Sequence, residues 1–224
     1  VNRLYHLARQ IMLRRKRRLV EGMLPAHART LLDVGCGTGY FLKHMQDHGW
    51  QVQGIEPEAR AREYARQRFQ LRVEPPEQLF ALPEAGFHAI TLWHVLEHIH
   101  RLQDYLRRIG ELLNEEGRLF VALPNHTSFD GEYYREFWAA YDVPRHLWHF
   151  SPGAFTGLMK KHGFEMVQYR PMPLDGFYVS ILSETYRGRS LPLLRGGWTG
   201  WRSFLRTLKD PRAGSSILYI LKKR

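Results

Sequence analysis

Cysteine and acid are both scarce in this chain. Among 224 residues there is one cysteine, Cys36, so no disulfide can form within the chain. That scarcity fits a reducing compartment and an expected cytoplasmic location. No apolar run reaches the ~18 residues of a membrane-spanning helix, and no signal peptide is visible. The first residue is Val1 rather than Met, which reads as a trimmed N-terminus. There is no Gly-Lys-Ser or Gly-Lys-Thr, which excludes a phosphate-binding loop of the ATPase kind.

Acidic residues number 22 against 33 lysines and arginines, a net charge of +11. The imbalance is local. Residues 1–30 hold eight cations and one acid, and residues 171–224 hold ten and three. The stretch between them is slightly acidic. Basic flanks around a near-neutral body suit an anionic surface, either nucleic acid or acidic lipid headgroups, and would make the protein membrane-peripheral. A solvated, solubilising face is the plainer alternative.

What is present is an alternation of apolar strands and helical patterns. Residues 1–24, with Leu4, Leu7, Ile11, Leu13, Leu19 and Val20 among arginines, read as an amphipathic helix stopped near Gly22 and Pro25. Strands are expected at 30–34, 50–55, 71–73, 87–93, 117–123, 164–169 and 216–221. Helices are expected at 40–47, 57–68, 99–113 and 152–162, with a turn at 114–117. This is the pattern of an α/β fold, a Rossmann-like doubly wound and mostly parallel seven-stranded sheet. The expected organisation is one domain. It comprises a basic N-terminal helix (1–28), a core (29–170) with a lid insert after the fifth strand (124–150), a basic excursion (171–213) and a last strand (214–224). Stretches as long as the insert and the excursion are usually functional or disordered loops.

The chemistry is concentrated where the first strand ends, in Asp33-Val34-Gly35-Cys36-Gly37-Thr38-Gly39-Tyr40. Glycines let a backbone turn tightly and approach a ligand without a Cβ in the way. In a dinucleotide fingerprint the last glycine falls three residues after the second; here it falls two after, and Tyr40 holds the dinucleotide position. That argues against NAD, FAD and a pyrophosphate. Glu56 closes the second strand, where a carboxylate can accept both hydroxyls of a ribose.

Taken together, Asp33–Gly39 resembles motif I of class I S-adenosylmethionine-dependent methyltransferases, over roughly residues 29–170. The resemblance implies that Gly35, Cys36, Gly37 and Gly39 line S-adenosylmethionine and that Asp33 orders the loop and the amino-acid moiety. It makes Glu56 the ribose acid and puts Glu77, in Pro76-Glu77-Gln78-Leu79, beside adenine. His88 stands where the family has an aspartate. Trp93-His94-Val95-Leu96-Glu97-His98 is similar to the segment bordering the sulfonium in small-molecule members, which adds Trp93 and His94 to the cofactor set. If this segment is helical, His94, Glu97 and His98 share a face and form a candidate metal trio, although His94 is a poor Mg²⁺ ligand and no metal is expected.

The insert Asp142-Val143-Pro144-Arg145-His146-Leu147-Trp148-His149-Phe150 resembles a stretch of one bacterial subgroup associated with surface polysaccharides and small metabolites. Tyr134, Trp138, Asp142 and Arg145 are candidate substrate contacts. His146 and His149 are candidate bases for a hydroxyl acceptor; the alternative is a packing flap whose histidines cap the helix at Pro152. The expected activity is methyl transfer to a small-molecule hydroxyl of a metabolite or glycan or lipid precursor, with S-adenosylhomocysteine as product. RNA methylation and a catalytically silent cofactor-binding partner are the rival readings. RNA is disfavoured because no Asn/Asp-Pro-Pro-aromatic motif follows the fourth strand. Residues 187–212, where arginines alternate with leucine and tryptophan, read as an interfacial amphipathic helix.

Overall fold

A computed structural model describes residues 2–224, with side chains from residue 6 onward; Val1 and the side chain of Leu4 lie outside the described residues. In chain order the elements are α1 (Asn2–Glu21), β1 (Thr30–Val34), α2 (Tyr40–Gln46), β2 (Gln51–Ile55), α3 (Ala59–Phe69), β3 (Val73–Glu74), β4 (Phe87–Trp93) and α4 (Leu102–Leu112). Next come β5 (Leu113–Pro124), α5 (Phe129–Tyr134), α6 (Pro152–Lys161), β6 (Phe164–Pro171), α7 (Pro173–Tyr186), α8 (Pro192–Thr207) and β7 (Ser216–Lys223).

The strands form the expected seven-stranded sheet, in the order β3-β2-β1-β4-β5-β7-β6. β1 is parallel to both neighbours, Leu31 lying opposite Val52 on one side and Ala89 on the other. Strands that helices cover on both faces need no polar alternation. Accordingly Leu31–Val34 and Ser216–Leu221 are buried without a break. The chain order runs outward in opposite directions from β1 and β4, so the carboxyl ends of these two strands flank a topological switch point, the usual ligand crevice of open α/β sheets.

The chain clusters into two compact units. The first comprises the chain up to Trp93 with Asp104–Phe120 and Lys222–Arg224; the second comprises His94–Gln103 and Val121–Leu221. In the first, α1 buries Leu13 and Val20 and exposes Arg14, Arg15 and Arg18, the basic face expected of it. His88, in the family's aspartate position, joins β4 to β1: its backbone N–H donates to Thr30 Oγ1 at 3.0 Å, and its ring Nδ1 is 2.6 Å from the same oxygen.

Three sequence expectations are corrected. The helix expected from Ile99 starts at Leu102. Before it, Leu96–His98 forms a single 3₁₀ turn, and the insert bonds to carbonyls of this segment. The N–H groups of Leu147 and Trp148 donate to the Glu97 carbonyl, and the Trp148 indole donates to the Ile99 carbonyl at 2.8 Å. The turn expected at Asn114–Gly117 is part of β5. Finally, the excursion expected as a long loop is mostly helical: α7 lies where no helix was expected, and α8 falls within residues 187–212, the stretch read as an interfacial helix.

Candidate functional site

The first unit carries the glycine turn. The Ile55 carbonyl at the end of β2 accepts both the Gly35 N–H (2.7 Å) and the Cys36 N–H (3.2 Å), which ties the turn to the neighbouring strand. Gly39, at φ 80°, opens α2. A Cβ there would lie 2.7 Å from Leu71 Cδ1 and 3.0 Å from the Ala65 Cβ, so this glycine is needed for packing as well as for its left-handed backbone. Gly37 is different. A Cβ on it would meet nothing within 4 Å, so the turn presents bare backbone to an open space.

Glu56 lies beside that space and is buried. Its Oε2 accepts the Gly37 N–H at 2.7 Å and its Oε1 accepts the Glu58 N–H at 2.9 Å. Each carboxylate oxygen keeps a lone pair for one more donor, which suits a vicinal diol. Asp33 is buried within the sheet, and its Oδ1 accepts the Thr91 hydroxyl at 2.5 Å. Burial pushes the Asp33 carboxyl up to about 7, against the lowering effect of Thr91 and Lys16. The Cys36 thiol is pushed up by burial and by the carboxylates of Asp33 and Glu56, so it is a neutral thiol rather than a nucleophile. Lys16 Nζ stands 3.9 Å from the Trp93 ring centre, so α1 covers the end of β4. Glu77 is exposed on the 3₁₀ turn Pro76–Ala81.

The second unit contains a cavity of about 340 Å³, a size suited to a small molecule. His94, Glu97, Asp142 and His146 supply its polar wall, and Tyr178 and Leu182 of α7 supply apolar surface. His94 sits in a left-handed conformation, φ 57°, which turns it out of the 3₁₀ turn that follows. Its Nε2 donates to Asp175 Oδ2 at 3.1 Å, and its Nδ1 is 3.6 Å from Glu97 Oε1. Burial lowers its pKa, but the two carboxylates outweigh that and raise it to about 9, so His94 is a cation at neutral pH. Glu97 is almost wholly buried, and neither carboxylate oxygen has a hydrogen-bond partner among the described residues.

His146 behaves oppositely. Burial lowers its pKa, partly offset by its bond to Ala140 and by Glu97. Nδ1–H donates to the Ala140 carbonyl at 2.9 Å, which fixes the tautomer and leaves Nε2 as the basic nitrogen. Nε2 stands 4.0 Å from Glu97 Oε1 and 3.9 Å from Asp142 Oδ2. Two carboxylates thus face this nitrogen and favour the positive charge that forms when the neutral imidazole takes up a proton.

Several residues expected at this site lie elsewhere. Tyr134 and Trp138 do not face the cavity; they form a buried cluster with Ala139 and Val179, and the Trp138 indole donates to the buried Asp130 at 2.8 Å. Large aromatics pack wherever they exclude most water, and here that is the core. His149 is exposed, donates from Nε2 to the Tyr141 carbonyl, and lies outside the cavity wall. Ser151, rather than a histidine, caps α6. The candidate trio His94, Glu97 and His98 is not the cluster the structure forms, because the segment is not α-helical. Instead Glu97, His98 and His146 bring possible ligand atoms within 4.8 Å of one another. Arg145 is committed to Asp142 through Nε and Nη2, at 3.1 and 2.7 Å, and the pair sits at the cavity. The α7 wall was missed in the sequence, since Tyr178 and Leu182 fall in the stretch read as a loop.

A family model described as a methyltransferase domain matches residues 5–169. The chain belongs to this methyltransferase family. With it comes membership of the class I superfamily, whose cofactor is S-adenosylmethionine, and the open Gly37 backbone beside Glu56 fits that cofactor's nucleoside. The ubiquinone biosynthesis O-methyltransferase of Caulobacter vibrioides is 32% identical over 110 residues, 46% of this chain and 44% of that protein. The protein of the same description from Azorhizobium caulinodans is 26% identical over 185 residues, 75% of this chain and 71% of its own. The chain spans about half the length of the first of these and of similar curated relatives. Among solved structures, a SAM-dependent methyltransferase from Archaeoglobus fulgidus shares the fold. It has a TM-score of 0.64 at 20% identity, covering 96% of this chain and 94% of that one. No helix among the described residues is long and apolar enough to cross a membrane.

Proposed function

We propose that this protein transfers the methyl group of S-adenosylmethionine to a hydroxyl of a small molecule, with His146 as the base that takes the hydroxyl proton. The carrying observation is the state of His146: a neutral imidazole of fixed tautomer, its basic nitrogen in a cavity of small-molecule size and faced by Glu97 and Asp142. The relatives named O-methyltransferases support oxygen as the acceptor atom.

In this reading Gly35, Gly37 and Gly39 shape the turn against which the cofactor lies, Glu56 accepts the ribose hydroxyls, and Asp33 orders the turn. The cofactor supplies a methyl group already activated on a sulfonium, so the protein's part is alignment and proton management. An acceptor hydroxyl within reach of His146 Nε2 gives up its proton there. The imidazolium that results is stabilised by Glu97 and Asp142. His94, already charged and held by Asp175, keeps the Glu97 carboxylate in place. General-base assistance of this kind contributes about 10²- to 10⁴-fold.

Two measurements test the proposal. Calorimetric titration with S-adenosylhomocysteine should show binding that Gly37→Arg abolishes, because the arginine side chain fills the space against the turn. Turnover of a phenolic acceptor should drop by about a hundredfold or more in His146→Gln and stay near normal in His149→Gln. Equal, near-native rates in both variants would remove His146 as the base.

The cluster of Glu97, His98 and His146 favours a second reading, in which a transition metal binds these three and activates the acceptor oxygen. Turnover that survives exhaustive chelation keeps His146 as a base. Turnover lost on chelation and restored by Mn²⁺ or Zn²⁺ makes it a ligand.

A further inference from the structure

Helix α8 is built inside out. Its inward positions are Gly196, Thr199, Gly200, Ser203 and Thr207, all buried. Gly196 and Gly200 fit directly against α7: a Cβ on Gly196 would come within 2.4 Å of the Ile181 Cα, and one on Gly200 within 2.8 Å of the Phe177 Cα. Small residues four apart that let two helix backbones close up are how helices pack when the surrounding medium is apolar. The large apolar side chains point the other way. Leu194, Trp198, Trp201, Leu205 and Leu208, at alternating steps of four and three, form one exposed stripe, with Leu194 at 70% and Trp198 at 64% exposure. Leu191 and Leu193 extend it at the N-terminal end. Water-exposed helices put such residues inward, and a contiguous apolar stripe of this kind marks an interaction surface.

The charge around the stripe selects the partner. Between Arg187 and Lys209 there are six cations and no acid. A second copy of this chain would bring the same six cations against the first six. A nucleic acid would meet the cations but offers no apolar partner to the leucines. An anionic bilayer satisfies both groups, with leucine in the acyl boundary, tryptophan at the headgroup level where it is enriched, and arginine and lysine on the acidic headgroups. With 16 residues, α8 falls short of the ~20 needed to span the hydrocarbon core, so it lies in the plane of the surface. We propose that the outward face of α8 docks this protein on an anionic lipid bilayer.

The test is flotation of the full chain with vesicles of neutral phosphatidylcholine and with vesicles containing about a third phosphatidylglycerol, at low and at high salt. Flotation with the anionic vesicles alone, weakened by salt, is expected. Trp198→Glu with Leu205→Glu changes two exposed positions and should abolish flotation while leaving the urea midpoint unchanged. Arg195→Gln and Lys209→Gln should each weaken binding to the anionic vesicles about fivefold. The proposal is overturned if the native chain floats with neither vesicle, or if the glutamate variant still floats. It is also overturned if native chain that stays in solution forms a dimer that the glutamate variant breaks, which would assign the stripe to a second copy.

Discussion

Asp33 shows how a single buried carboxyl can divide its value between folding and binding. At pH 8 it is mostly ionised inside the sheet, since its pKa stands at about 7 through burial. Its folded pKa is raised, so the stability it allows is fully present below about 3.8, the unfolded value, and is lost as pH rises through 7. Asp33→Asn keeps an oxygen acceptor for Thr91 and removes the charge. The melting temperature of the ligand-free variant should therefore exceed the native value at pH 8, with the gap closing below pH 4. If Asp33 also orders the bound amino-acid moiety, the variant should bind S-adenosylhomocysteine at least ~10-fold more weakly, a loss of about 1.4 kcal/mol. A more stable variant with native affinity would confine Asp33 to the sheet.

His94 titrates in the other direction in its effect on charge but with the same sign for stability. Its pKa is raised to about 9 by Asp175 and Glu97 despite burial, so the stabilisation from those pairs is complete below the ordinary value of 6.5 and is lost as pH rises through 9. The urea midpoint of the native protein should fall between pH 7 and 10, and that slope should flatten in His94→Gln. His146 is lowered, so its base form persists to more acidic pH than an ordinary histidine. The acid limb of kcat/KM should accordingly lie below the usual histidine range and disappear in His146→Gln.

At the scale of elements, α7 and α8 give the sharpest contrast between two substitutions on one helix. Gly196→Ala pushes a methyl against the backbone of Ile181, where nothing flexible can yield, and should destabilise by about 1–3 kcal/mol in urea unfolding. Trp198→Ser removes a far larger side chain from the exposed face and should change stability by less than about 0.5 kcal/mol. The same inversion explains what the sequence concealed. β1 and β4 have the bounds expected of them because a strand buried on both faces is a plain apolar run between breakers. α8 buries glycine, serine and threonine instead, so the sequence shows its outward apolar stripe, read as an interfacial helix, and hides the face that packs on α7. In the glycine turn, the glycine spacing and the acid at the end of β2 were legible because backbone geometry demands those residue types. In the insert, nothing periodic distinguishes a core aromatic from a cavity wall. Trp138 turns inward because the buried Asp130 waits for its indole, and His146 rather than His149 reaches the cavity because the irregular backbone from Tyr141 to Phe150 orients them separately. The candidate metal trio did not form for a related reason: His94, named in the sequence, takes a left-handed backbone that breaks the helical face on which the trio depended.

For the whole molecule, the distribution of charge separates attraction from chemistry. A net +11 concentrated before residue 31 and after residue 170 attracts any polyanion, so RNA binding alone says nothing about the methyl acceptor. Association of that kind comes from counterion release. If six to ten phosphates are neutralised, affinity falls by about 10³- to 10⁵-fold between 50 and 200 mM salt. Retention of transfer RNA in gel shifts at 50 mM salt should therefore vanish near 200 mM, with no preference among sequences. On the proposed assignment, methyl transfer to a phenolic acceptor takes place at the Glu97–His146 cavity and should hold through the same range of salt. With radiolabelled S-adenosylmethionine, the label should enter the small acceptor at both salt concentrations and stay out of RNA at both. Label in RNA at 50 mM, lost together with binding at 200 mM, would reverse the assignment: the basic flanks would then be the substrate site, and the cavity beside His146 would belong to the packing of its own unit.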